Sequence, residues 1–360
     1  MPIPSRPFWV TSGENRSKTK GNTFRQADEP ANPNERDCWF SADDGQVYYY
    51  YDGEFINYTP TYSQGFSVGG NVGPVSSIQR ITFPFDSGTA DYVGNLNSTL
   101  RDAAGVNDST YGYVMGGTNG SVSQNAIRSF EFPFDSGTAT TAGTLSSSVN
   151  APAGCNSSTH GFNMGGYTGS VLVSTIQRII FPFTSGTAAT VGNLSTTTDT
   201  QGGCNSSLHG YSVGAYQDTA YASTIDRITF PFSSGTASHT GNLSGKRYWN
   251  QCCNSSNHGF NISGAINGSR ISTIDRFAFP LDSGTASAVG NLIGTNYTHA
   301  VVNSTNYGYC IGGYGSVYFS YIQRILFPFA SGTASNVGNL NTTSSEQSGI
   351  DNTDFVSMFV

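Results

Sequence analysis

Apolar residues in this chain come in short runs of strand length, each bounded by glycine, asparagine or serine. One clear set is Ala153–Ser157, Gly161–Gly166, Ser174–Phe183 and Thr187–Leu194. Around it no apolar positions recur with the 3.6-residue spacing of a helix face. The pattern predicts strands joined by tight turns.

Those four runs are one unit of a repeat. Phe83-Pro84-Phe85-Asp86-Ser87-Gly88-Thr89-Ala90 returns at 132–139, 181–188, 230–237, 279–286 and 327–334. Only the position after the second Phe varies freely, and once that Phe is Leu281. The motif prolines are Pro84, Pro133, Pro182, Pro231, Pro280 and Pro328, and the steps between them are 49, 49, 49, 49 and 48. So regular a period fixes the architecture and makes repeated residues scaffold. Four antiparallel strands per unit, six times over, is the blade pattern of a β-propeller, whereas β-solenoids repeat over much shorter periods. The expected fold is all-β: six four-stranded blades, with seven as the alternative, preceded by an extended arm and a β-hairpin. The expected divisions are an arm at 1–36, an aromatic hairpin or meander at 37–60, and a propeller at 61–360.

The second strand of the unit ends in paired glycine at Gly69-Gly70, Gly116-Gly117, Gly165-Gly166 and Gly312-Gly313, relaxed to Gly214-Ala215 and Ser263-Gly264. With the hairpin that follows, this resembles the kelch type of propeller over about residues 54–354. Phe-Pro-Phe and Gly-Asn-Leu stand where kelch repeats carry Tyr-Asp and Trp, so the resemblance is to a diverged kelch-like array. Gly349 to Val360 aligns with the start of a further unit. Residues 349–353 are therefore expected to pair with the first blade, since closure removes exposed sheet edges. In the seven-blade alternative, 354–360 joins the Tyr48 hairpin.

Residues 1–36 differ from the rest. They carry Arg6, Arg16, Lys18, Lys20, Arg25 and Arg36, which is 6 of the 16 basic residues, with five prolines and no periodicity. The reading is an extended arm, either a disordered tail or an anchor ordered by a neighbouring subunit; Arg6, Trp9, Arg16, Lys18, Lys20 and Arg25 are the candidate anchor residues. Asp44-Gly45 and Asp52-Gly53 are turn dipeptides between aromatic runs, predicting strands at 38–41, 46–51 and 54–58. Ser41-x-Asp43-x-Gly45-x-x-Tyr48 also fits a single loose Asp-box turn, to which no catalytic weight attaches. The order Asn34...Asp37-Cys38-Trp39-Phe40...Tyr50-Tyr51-Asp52-Gly53 resembles the aromatic hairpin of structural proteins of tailed bacteriophages. That likeness covers about 25 residues, with Cys38 where Leu is more usual.

Composition narrows the function. Charged residues are 11% of the 360 positions, aromatics 13%, and the formal charge is -7. The aromatic content argues against disorder, and the acidic balance excludes a nucleic-acid binder. The N-terminus has no signal-peptide core, and no apolar run is long enough to span a bilayer. Cys155, Cys204 and Cys253 share one repeat position and read as small buried hydrophobes on inner strands. Neither a disulfide framework nor a zinc site is expected from six cysteines without a Cys-x-x-Cys.

Repeated polar residues invite chemistry and are better read as scaffold. His160, His209 and His258 share one position, where Tyr111 and Tyr307 stand in other units, so exposed turn histidines are expected rather than a metal site. Arg80, Arg178, Arg227, Arg276 and Arg324 share another, for which inter-blade hydrogen bonding is expected over anion binding. No catalytic set and no cofactor are assigned. The connections that vary lie on one face, between the second and third strands and between units. Candidate recognition residues there are Tyr167, Tyr216, Tyr221, Arg247, Tyr248, Trp249, Tyr314 and Tyr318, since variable loops on a rigid scaffold carry recognition. The phage resemblance implies a virion component that attaches to other virion proteins through its N-terminal segment. It would form a homo-oligomer in the particle and meet a host surface glycan or receptor as a tail fibre, spike or adaptor. Alternatives are a head decoration protein, or a bacterial lectin or carbohydrate-active enzyme.

Overall fold

Each repeat unit folds into four strands whose glycine- and serine-rich ends turn tightly enough to return the chain antiparallel. The computed structural model describes residues 23–26, 28–34, 37–41, 47–51, 53–58, 63–72, 75–218 and 220–352. The chain divides into two units, Met1–Thr61 and Tyr62–Val360.

In the larger unit, five blades are continuous in sequence. Blade 2 comprises Ala104–Asn107, Tyr111–Met115, Ala126–Glu131 and Thr140–Thr144. Blade 3 comprises Ala153–Asn156, His160–Met164, Thr175–Ile180 and Ala189–Asn193. Blade 4 comprises Gly202–Asn205, His209–Gln217, Ala220–Thr229 and Ser238–Asn242. Blade 5 comprises Gln251–Asn254, His258–Ile266, Ser269–Ala278 and Ser287–Asn296. Blade 6 comprises Ala300–Asn303, Tyr307–Ile311, Tyr321–Leu326 and Ser335–Asn339. Blade 1 is composite. Its strands Gln64–Val68, Ser77–Thr82 and Asp91–Asn95 are completed by Ser348–Asn352, which pairs antiparallel with Gln64–Val68. The first strand of each unit is innermost, and these strands contact one another in a closed ring of six. The larger unit is thus a six-bladed propeller.

The octapeptide does more than turn the chain from third strand to fourth: it joins neighbouring blades. Its first Phe stacks on the central aromatic residue of the preceding blade's second strand at all six interfaces. The pairs are Phe132–Phe66, Phe181–Tyr113, Phe230–Phe162, Phe279–Tyr211, Phe327–Phe260 and Phe83–Tyr309, with ring centroids 5.0 to 5.5 Å apart. Its Gly carbonyl accepts an N–H of the preceding blade's fourth strand. Examples are Thr144 N to Gly186 O at 2.9 Å and, across the closing interface, Asn339 N to Gly88 O at 3.0 Å. The motif Ala returns a second bond, as in Ala188 N to Thr144 O at 2.8 Å. The Phe–Pro bond is cis in all six copies.

The arginines expected to link blades do so. Arg178 donates to the Phe232 carbonyl at 2.9 Å and Arg227 to Leu281 at 2.9 Å, while Arg80, Arg276 and Arg324 reach Phe134, Phe329 and Phe85. The residue before this arginine reaches back to the preceding blade. Gln79, Gln177 and Gln323 accept backbone N–H groups of Asn341, Ser146 and Ile293, and Asp226 and Asp275 those of Ser195 and Ser244. Cys155, Cys204, Cys252, Cys253 and Cys310 are free and buried, as small core residues.

In the smaller unit, Cys38–Ser41, Val47–Tyr51 and Glu54–Tyr58 form the meander. The stretch expected to be arm is not arm throughout: Thr23–Gln26 pairs in parallel with Cys38–Ser41 as a fourth strand. A parallel partner is reached through a longer connection, so no turn signature marks it. Trp39 is buried here, stacked on Tyr48 at 4.7 Å and edge-on to Phe55 at 5.5 Å. Of the candidate anchors, Arg6, Trp9, Arg16, Lys18 and Lys20 lie outside the described residues, and Arg25 lies on the Thr23–Gln26 strand. Residues 353–360 also lie outside them.

The inter-blade clasp yields a prediction. A Cβ at Gly143 would lie 2.4 Å from the Gly186 carbonyl oxygen, whereas one at Gly245 would meet nothing within 4 Å. Since the clash is with backbone, Gly143→Ala should lower unfolding free energy by about 2–3 kcal/mol, and Gly245→Ala by less than about 0.5 kcal/mol. Urea denaturation of the two variants checks this; equal effects would contradict the clasp.

Candidate functional site

The inner strands leave two ends to the propeller axis, and each end is braced in its own way. At the end bearing the invariant turns, side-chain oxygens of inner strands accept the neighbour's backbone N–H. Asn156 donates to Asn205, Asn205 to Asn254 and Asn254 to Asn303, each at 3.3 Å, and Asn303 to the Asp351 carboxylate at 2.9 Å. His160, His209 and His258 stand on this side at turn positions, tilted against Phe162, Tyr211 and Phe260. Among the described residues no group of three or more His, Cys, Asp or Glu is placed to hold a metal.

At the other end the chain enters each inner strand through one left-handed residue. These are Asp102, Ala151, Thr200, Trp249, Thr298 and Glu346, with φ between 50 and 60°. None is glycine, and such a conformation costs a non-glycine residue about 1 kcal/mol. It turns each N–H toward its neighbour's carbonyl. Ala151 donates to Asp102, Thr200 to Ala151, Trp249 to Thr200, Thr298 to Trp249, Glu346 to Thr298 and Asp102 to Glu346, at 2.5 to 3.1 Å. Six backbone hydrogen bonds thus close a circle about the axis.

The backbone of this circle repeats while its side chains do not, so the repeat is broken where several blades converge. Arg101 pairs with Glu346 at 2.7 Å. Burial, then the Glu346 carboxylate, raise Asp102 well above the ordinary carboxylate range, with Arg101 opposing. Burial raises Asp199 to about 6, against the Thr200 hydroxyl. The cavity lined by Asp102, Thr200, Trp249 and Glu346 holds only about 20 Å³ of free space, room for about one water and for no sugar ring. The loops around this mouth offer the larger surface.

There the structure gathers most of the candidate residues. The second and third strands of blade 4 run past the usual blade length, and their tip pairs Tyr216 with Tyr221. Both rings meet Tyr248, which stacks on Tyr221 at 4.6 Å and 17° and lies 6.4 Å from Tyr216. The hairpin of blade 5 is lengthened in the same way and carries Arg270 opposite Ala265, which also bridges Tyr248. Arg270 lies 5.4 Å from the Tyr297 ring centre and 4.7 Å from that of Tyr314. Tyr297 packs edge-on to Tyr314 at 5.7 Å, and Tyr314 to Tyr318 at 4.9 Å. Six tyrosines and one arginine from blades 4 to 6 thus form two ring clusters joined through the Tyr248–Ala265 bridge into one tract, with Tyr318 38% exposed at its end. Tyr167 sits on blade 3, where it bridges Asn150 and Leu172 and joins no described ring pair.

Two candidates fall elsewhere. Trp249 lines the axial cavity. Arg247 is only 2% exposed, and its guanidinium meets the wholly buried Asp275 carboxylate at 3.1 Å and the Thr273 carbonyl at 3.2 Å. It therefore braces the interface of blades 4 and 5 and offers nothing to a ligand. A variable, tyrosine-rich connection reads as surface, and a partner on the third strand of the next blade is invisible in it. Conversely, Tyr297 and Arg270 are absent from the sequence-based candidates. Tyr297 repeats the position of Tyr248 one unit later and so is recoverable from the period; Arg270 has no counterpart that would mark it. No protein-family model matches the chain, and no curated protein matches it.

The Asp199 shift sets a pH dependence. A carboxyl whose folded pKa is raised favours the fold while protonated, so its contribution is complete below about pH 4 and is lost as pH rises through about 6. Asp199→Asn, which stays neutral, should gain about 1 kcal/mol over the parent at pH 8, with the gain vanishing at pH 4. Denaturation curves at both pH values test this; a gain independent of pH would refute it.

Proposed function

We propose that this protein is a non-enzymatic recognition component of a tailed-phage particle, attached through residues 1–60 and presenting the propeller's variable-loop face to host-surface glycan. The observation that carries the reading is the tract of Tyr216, Tyr221, Tyr248, Tyr297, Tyr314 and Tyr318. Stacked and edge-packed tyrosines offer apolar ring faces flanked by hydroxyls, which suits the mixed apolar and hydroxylated faces of a pyranose. Their ring contacts hold them in place, so little side-chain entropy is lost on binding. Six inter-blade clasps make the platform rigid beneath them. The phage assignment draws its support from the resemblance of the Trp39 to Gly53 hairpin. Repetition of the protein in a particle would multiply weak single-site affinity.

Two outcomes are expected. On a glycan array, the parent protein binds a subset of oligosaccharides, and Tyr221→Ala or Tyr248→Ala weakens that binding at least about tenfold with the thermal transition retained. Deleting residues 1–61 leaves that transition in place, because Ser348–Asn352 still closes blade 1, but abolishes incorporation into particles. Unaltered glycan binding in both tyrosine variants would defeat the recognition reading. Full incorporation of the shortened protein would defeat the attachment reading.

A further inference from the structure

The propeller contains nine arginines, and eight of them have a polar partner among the described residues. Arg80, Arg178, Arg227, Arg276 and Arg324 donate to carbonyls of the next blade. Arg101 pairs with Glu346, Arg247 with Asp275, and Arg128 binds Asn97 and Ser98. Arg270 has none there. Its Nε is buried without a hydrogen-bond partner, and its contacts are the rings of Tyr297 and Tyr314. Aromatic rings hold a guanidinium by its face and leave its edge donors free. Nearby acidic groups have partners of their own: Glu346 meets Arg101, Asp275 on the third strand of blade 5 meets Arg247 and Ser244, and Asp218 in the blade 4 hairpin accepts from Thr197.

We infer that Arg270 is an anion-recognition residue and that the tyrosine tract takes a carboxylate-bearing pyranoside, of the uronic or sialic acid class. The inference rests on the glycan reading above and gives it a chemical class. An unpaired guanidinium presents parallel N–H donors that match a carboxylate bidentately. The rings of Tyr297 and Tyr314 lie against this guanidinium, while Tyr248 and Tyr221 continue the surface toward the next sugar ring. The net charge of -7 disfavours polyanions at long range, but that repulsion is screened beyond about 8 Å at physiological salt, whereas a contact pair is not.

The test uses the full chain and three probes: oligogalacturonate, its fully methyl-esterified form, and a phosphorylated mannoside. The expected result is at least tenfold tighter binding of oligogalacturonate than of the ester. Arg270→Gln should weaken oligogalacturonate binding at least tenfold and so remove that preference, and Arg270→Lys should restore only part of it. Far-UV circular dichroism and thermal unfolding establish that each variant is folded. Equal binding of acid and ester by the parent protein overturns the assignment while leaving the glycan reading standing. Tighter capture of the phosphorylated mannoside overturns the carboxylate class. Failure to bind any oligosaccharide across a glycan array is the separate result that removes the glycan reading itself.

Discussion

The contact between two glycines at each blade boundary governs the rest of this fold. A glycine of each fourth strand lies so near the motif glycine of the next blade that a Cβ would sit 2.2 to 2.6 Å from its carbonyl oxygen. That approach lets a pair of backbone hydrogen bonds pass from each fourth strand to the next blade. It brings the first motif Phe over the aromatic residue of the preceding blade and the repeated arginine within reach of the next carbonyl. The octapeptide varies freely at one position because its other residues serve this joint. Freed from that role, the loops on one face have diverged.

The same division explains what was legible in sequence. The period, the strand boundaries and the closing strand could be read because they depend on local turn chemistry and on repetition. The service of the five repeated arginines was legible too, since a residue used at nearly every interface must do something those interfaces need. Arg247 reads wrongly as surface and Arg270 carries no mark at all, as each occurs once. Arg247 sits in a tyrosine-rich connection yet lies inside, because Asp275, which serves a backbone cap in its own right, draws the charge inward. Arg270 lies on a hairpin lengthened in blades 4 and 5 alone. Thr23–Gln26 was missed because a parallel strand carries no turn signal joining it to its partner.

The two axial ends show how one symmetry serves different chemistries. One is braced by side-chain oxygens, mostly of asparagine, that accept backbone hydrogens. The other is closed by the backbone itself, through six left-handed residues. In the second case the side chains are released from any duty in closure and differ around the circle: an acid, an alanine, two threonines, a tryptophan and a second acid. Closure by backbone leaves these side chains free to differ, so the centre of the variable face can carry charge and bulk.

Completion of blade 1 by Ser348–Asn352 has a consequence for how the molecule is made. A nascent chain can finish blades 2 to 6 in order as each unit emerges, since each contains its own inner strand. Blade 1 cannot. From the synthesis of Gln64–Val68 until residues 348–352 leave the ribosome, its inner edge stays open, and the axial circle lacks Glu346 for the same interval. An open edge accepts any free strand, including one from a second nascent chain. The ring is therefore a property of the finished polypeptide, and premature termination would leave a sticky arc of blades in place of a smaller propeller.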